Sequence, residues 1–177
     1  MQLRTVREAD VAGKNVLVRV DSNESVDAHG DVKSSYKLTA ARETIDWLVD
    51  NGAAHVALLT HFGRPSDAHD LRYSVEQLQD DVARVLAREI TFVPACIGAP
   101  VADALRDAPT GAVLLLENVR YHAEEENSDA AFAAALCAPF EVYVNEAFAV
   151  CHRKHASVHA VTQCTASYAG LWLAKEV

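Results

Sequence analysis

Short, nearly continuous aliphatic runs alternate with amphipathic stretches about every fifteen residues, and this alternation constrains the fold more than any other feature of the chain. The runs are Asn15–Val20, Ala54–Thr60, Ile90–Val93, Ala112–Leu116 and Glu141–Asn145. They lack a polar face, as strands buried on both sides do. The spacing predicts a helix over Thr39–Asp50 with Ile45, Leu48 and Val49 on one face. Gly52 stands where a left-handed C-terminal cap would want it. A second helix over Val75–Ala87 carries Val75, Leu78, Val82, Val85 and Leu86, and Ser74 with Gln77 three residues later reads as a capping box. Shorter helices are expected at Val101–Asp107, after Pro100, and at Ser128–Leu136, capped by Ser128. Alternating strands and helices imply parallel pairing with right-handed crossovers. The expected fold is therefore α/β, a doubly wound parallel sheet with helices on both faces in a Rossmann-like three-layer sandwich. Residues 1–177 are read as a single domain.

Half of the 177 residues are apolar, enough for a substantial core, and the net charge is −9 with a pI near 5.3. No segment concentrates Lys and Arg, so nucleic acid and anionic membranes are poor partners. The apolar run Gly111–Leu116 is far too short to span a bilayer, and Met1–Asp10 is charged rather than signal-like, so a cytoplasmic protein is expected. The cysteines at 96, 137, 151 and 164 form no C-x-x-C pair. The spacing of Cys151, His152, His155 and His159 admits a zinc site but lacks the tighter signature of such sites, so no metal is expected.

Ligands of doubly wound folds bind outside the carboxyl ends of the strands. The residues there are Asp21 and Asn23 after the first run, and His61, Gly63 and Arg64 after the second. Glu117, Asn118, Arg120 and His122 follow the fourth; Asn145, Glu146, His152 and Arg153 follow the fifth. Three arginines thus come from separate strand ends toward one rim of an acidic protein. The planar fork of arginine matches carboxylate and phosphate oxygens two at a time. Several around one pocket point to a small ligand with more than one anionic group. The chain has no G-x-x-x-x-G-K-[ST] loop and no G-x-G-x-x-G, so no nucleotide-binding residues are assigned to it.

The strings VLVRVDSN, LLTHFGRP, LLLENVRYHAEEE and VYVNEAFAVCHRKHAS resemble, in order and spacing, the N-terminal half of the phosphoglycerate kinases. Their patterns there run V-L-x-R-x-D-F-N, S-H-L-G-R-P, L-L-E-N-x-R-F-x-x-E-E and N-D-A-F-x-x-x-H-R-x-H. The closing ASYAGLWLAKEV looks like the segment leading into that family's interdomain helix. The resemblance implies a substrate-binding lobe for 3-phosphoglycerate or 1,3-bisphosphoglycerate, taking part in glycolytic phosphoryl transfer. Mg-ATP or Mg-ADP would be held by a C-terminal lobe in cis, absent from this chain. The family generally works as a monomer. By matching position, Asp21 and Asn23 would hold the hydroxyl and carboxylate end of the substrate, with His61 and Arg64 gripping it from the second strand. Arg120 and Arg153 would clamp the 3-phosphate, helped by His152.

Departures from the pattern are visible. Lys37 stands where the family has an arginine that stabilises the transferring phosphoryl group; it is the catalytic candidate here, keeping the charge but losing the fork. Ser22, Glu24 and Ser25 replace an apolar residue, a valine and a proline, and Glu146, Ala149 and Val150 stand in place of Asp, Gly and Thr. An alternative reading is therefore a catalytically silent paralogue that binds a phosphometabolite or a protein partner. On either reading the isolated chain is not expected to turn over.

Overall fold

The computed structural model describes residues 3–21, 36–65 and 70–177. Six parallel strands form one sheet: β1 (Asn15–Arg19), β2 (His55–Leu59), β3 (Ile90–Val93), β4 (Ala112–Leu116), β5 (Val142–Asn145) and β6 (Ala166–Ala169). Their order across the sheet is β3-β4-β2-β1-β5-β6. From β1 the chain steps to β2, passes to β3 at one edge and returns to β4 between them, then crosses to the other side of β1 for β5 and β6. β1 therefore flanks the switch point at which doubly wound sheets bind ligands.

Alternate residues of the apolar strands go to opposite faces, as the two-residue period of a strand requires. On one face, Val16, Val18, Val56, Leu58, Val113 and Leu115 pack against α1 (Tyr36–Asp50), α2 (Gln79–Leu86) and Leu171 of α5 (Leu171–Glu176). On the other, Leu17, Ala57, Leu59, Leu114, Leu116 and Tyr143 pack against α3 (Ala99–Asp107) and α4 (Ala130–Cys137). The three-layer doubly wound sandwich expected from the sequence is the fold observed.

Differences are local and have physical causes. Helix α1 starts at Tyr36, ahead of the expected Thr39, and ends as expected: Gly52 (φ 80°) and Ala53 donate to the carbonyls of Val49 and Leu48, each at 3.0 Å. The segment expected as one helix from Val75 opens instead as a 3-10 turn, Val75–Leu78, before α2 begins. Ser74 Oγ accepts from the Glu76 N–H, but Gln77 donates to the Ser74 carbonyl at 2.6 Å instead of closing a capping box. Pro100 lies inside the first turn of α3, where its missing N–H costs nothing. The cap of α4 is Asp129, which accepts from Phe132 N at 2.7 Å; Ser128 takes a positive φ of 54° just ahead of it. Strand β6 was not expected from its composition, ASYA.

Candidate functional site

The carboxyl rim around β1 is built on a buried charge. Arg19 closes β1 on the face of Leu17 and is only 1% exposed, so its guanidinium must be compensated from within. Its Nε donates to Ser157 Oγ at 3.1 Å, Nη1 donates to the Val20 carbonyl, and Nη2 lies 2.9 Å from His61 Nδ1. Ser157 in turn donates from Oγ (2.6 Å) and N (2.8 Å) to the carboxylate of Glu125, which is also buried. Burial lowers the pKa of Arg19, and Glu125 works against that shift. His61 is pushed down to about 2, first by burial and then by Arg19, Arg120, Arg153 and His155, so its ring is neutral.

Arg120 comes from the 3-10 turn Val119–Tyr121 after β4, whose N-cap is Asn118. The same asparagine clamps the loop after β2, accepting from Phe62 N at 3.2 Å and donating to the carbonyls of Phe62 and Tyr73 at 2.7 and 2.8 Å. Gly63 in that loop has φ 60°, and a side chain there would overlap the Tyr73 ring. The loop carbonyl of Gly63 receives Arg120 Nη1 at 2.7 Å. Arg120 Nε is buried without a hydrogen-bond partner among the described residues; Glu126 Oε1 is 3.6 Å away. The pKa of Arg120 is lowered, first by burial, with Arg153, Arg19 and Arg64 also acting in that direction. Arg64 is exposed in the clamped loop and Arg153 half-buried in the turn after Phe148–Val150. Guanidinium groups from four segments therefore meet in one region of a chain whose net charge is −9.

Across β1 the site has another character. Asp21, 6% exposed, accepts from Lys37 Nζ at 2.8 Å, joining the end of β1 to the first turn of α1. A cavity of about 260 Å³ opens beside this pair, lined by Tyr36, Glu146, Phe148 and Trp172 among others, and the Tyr36 and Trp172 rings meet edge to face at 5.6 Å. Glu146 is buried, bonded to the Thr44 hydroxyl and to the N–H groups of Trp172 (3.2 Å) and Leu173 (2.9 Å) at the start of α5. Burial raises its pKa in spite of these donors. Gly170 packs directly on the Glu146 carboxyl, which a side chain at 170 would overlap.

Of the expected site residues, Arg120 and Arg153 both act electrostatically on His61 and Arg64 acts on Arg120, while Asp21 and Lys37 are paired at the neighbouring cavity. His152 is exposed beside Arg153, while His155 turns inward with Nδ1 3.7 Å from Glu125. Asn23, with Ser22, Glu24 and Ser25, lies outside the described residues. Two of the residues that follow the fourth strand are structural anchors: Glu117 accepts from Ser74 Oγ and Val75 N at 2.7 and 2.8 Å, and Asn118 holds the loop. His122 packs on the Phe132 ring, 4.8 Å between centroids. The sequence reading passed over Arg19, Ser157 and Glu125. A charge inside the run NVLVRV was the available signal. Among the described residues no group of His, Cys, Asp and Glu could hold a metal, and no helix is long and apolar enough to cross a membrane.

A family model described as phosphoglycerate kinase matches residues 6–177. The phosphoglycerate kinase of Coprothermobacter proteolyticus is 44% identical over 177 residues, which are 100% of this chain and 45% of the relative. That of Caulobacter vibrioides is 42% identical over the same 177 residues, 44% of its own length. The crystal structure of phosphoglycerate kinase from Pyrococcus horikoshii OT3 matches with a TM-score of 0.86 at 25% identity, over 98% of this chain and 44% of that one. The chain thus spans less than half the length of these relatives. On the family match along nearly its whole length, the chain belongs to the phosphoglycerate kinase family.

Proposed function

We propose that this chain is the substrate-binding half of a phosphoglycerate kinase, holding 3-phosphoglycerate or 1,3-bisphosphoglycerate while a nucleotide lobe supplies Mg-ATP or Mg-ADP. The observation that carries the reading is the grouping of Arg120 and Arg153 beside neutral His61, with Arg64 acting on Arg120, and with Arg120 Nε buried without a hydrogen bond among the described residues, its ion-pair partner Glu126 standing 3.6 Å away. A buried donor without an acceptor is costly, and an anionic oxygen is the partner that satisfies it with most gain. In this reading the arginines clamp the phosphate, with His152 at the edge of the clamp. Asp21 and Asn23 hold the hydroxyl and carboxylate end, and Lys37 lends its charge to the transferring phosphoryl group.

One observation favours the silent module as a second reading: the ammonium of Lys37 is tied to Asp21 at 2.8 Å, which engages two proposed substrate contacts with each other. Lys37→Arg in a protein carrying both lobes separates the readings, since a large rise in rate marks a weakened enzyme and an unchanged null marks the module. The primary test is a titration of the chain with 3-phosphoglycerate, followed at the His61 and His152 ring signals. Arg120→Ala is expected to weaken binding by about tenfold or more, as the loss of a charge-assisted contact does. Silence of both rings at millimolar ligand sinks the reading.

A further inference from the structure

Glu125, Ser157, Arg19 and His61 form a continuous hydrogen-bonded chain, and all four are buried. The direction of every link follows from chemistry alone. A carboxylate only accepts and a guanidinium only donates. Ser157 has a single hydroxyl proton, so that proton points to Glu125 at 2.6 Å and a lone pair is left for Arg19 Nε at 3.1 Å. At the far end Arg19 Nη2 donates across 2.9 Å to His61 Nδ1, which must therefore carry a lone pair.

We infer that Glu125, Ser157 and Arg19 act as a tautomer lock on His61, keeping its one ring proton on Nε2 so that the ring offers the site a neutral N–H donor, with Ser157 as a positioning residue. The charged and titratable groups facing the ring are Arg19 from β1, Arg120 from the turn after β4, and Arg153 and His155 from the segment after β5. None of the arginines can accept a proton from a ligand or return one to Nδ1, so the basic surroundings reinforce the lock. The groups binding Ser157 also restrict Arg19. With its Nε tethered and Nη1 on the Val20 carbonyl, the guanidinium plane is held and Nη2 is aimed at the ring. The consequence for recognition is that His61 selects an oxygen acceptor on the ligand without adding to the positive charge of the rim.

The lock is a property of the unliganded chain, whereas its use in recognition rests on the function proposed above. Nitrogen-15 spectra of the histidine rings, with His61 identified by its loss in His61→Gln, test it directly. The expected result is an Nε2-protonated His61 with unprotonated Nδ1 and no titration between about pH 5 and 8. A proton on Nδ1, or a titration in that range, overturns the lock. Ser157→Ala frees Arg19 Nε and is expected to bring the Nδ1-protonated form into exchange, drawing the two nitrogen shifts together. A pure, unshifted tautomer in a folded Ser157→Ala chain overturns the role given to Ser157. If the variant does not fold, the measurement on the unaltered chain still decides the tautomer. A locked ring that ignores 3-phosphoglycerate supports the lock and sinks the ligand assignment; a ring that responds with its proton on Nδ1 sinks the lock alone.

Discussion

On the β1–β2 side of the rim a guanidinium, Arg19, is enclosed with a carboxylate, Glu125, and a hydroxyl shared between them. On the β5–α5 side a carboxylate, Glu146, is enclosed with neutral donors: the Thr44 hydroxyl and the backbone N–H groups of Trp172 and Leu173. In the first region opposite charges are buried together and the adjacent imidazole absorbs the excess positive potential by remaining neutral. In the second, dipoles oppose the desolvation of the carboxylate without outweighing it, so its pKa rises. One rim thus contains two solutions to the burial of charge, and acid acts on them with opposite sign. His61 binds fewer protons folded than unfolded, so its contribution is full above pH 6.5 and is lost as pH falls toward its folded value of about 2. Glu146 binds more protons folded, so its contribution is full below 4.5 and is lost as pH rises through its elevated folded value.

The largest effect is expected at Arg19. Arg19→Met leaves Glu125 buried without its cation and should cost about 3–5 kcal/mol in urea unfolding at neutral pH. A loss below about 1 kcal/mol would put the pair on a footing with surface ion pairs and remove the contrast. At Glu146 the expected effect is smaller and coupled. Gly170→Ala pushes a methyl against a carboxyl held by several hydrogen bonds and should cost about 1–3 kcal/mol. In a Glu146→Asp background the carboxyl recedes and the same change should cost less, so additive effects would refute the contact. The smallest effects are on pH dependence. Between pH 6 and 5, His61→Gln should remove about 1.4 kcal/mol per pH unit of acid destabilisation. Glu146→Gln should gain on the unaltered protein as pH rises above 4.5. Slopes of the same sign in the two variants would mean that the rim titrates as one region.

The sheet was legible because its strands are buried on both faces: β3 and β4 span the expected residues, β1 and β5 are shorter by one residue at one end, and β2 by one at each end. β6 escaped notice because ASYA is small, short and only partly buried, and it finds its place by pairing with β5 and with Thr5. The grouping of arginines on one rim was legible from their places after strands, since those loops share the carboxyl edge of a parallel sheet. Arg19 was not, because inside a strand its face, and thus its burial, depends on register. Nothing in the run of glutamates at 124–126 distinguishes the one that is 1% exposed, since the choice is made by Ser157 from thirty-two positions away. Glu146, read as a departure from the family pattern, is the carboxylate that receives the start of α5.

Positions 146 and 170 share one small volume, and this orders the route by which either can change. A glutamate can enter at 146 only while 170 is bare; a methyl can enter at 170 without strain only after 146 has shortened. One sequence of steps passes through an underfilled intermediate and the other through an overfilled one, so Gly170 acts as a ratchet on the history of its neighbour.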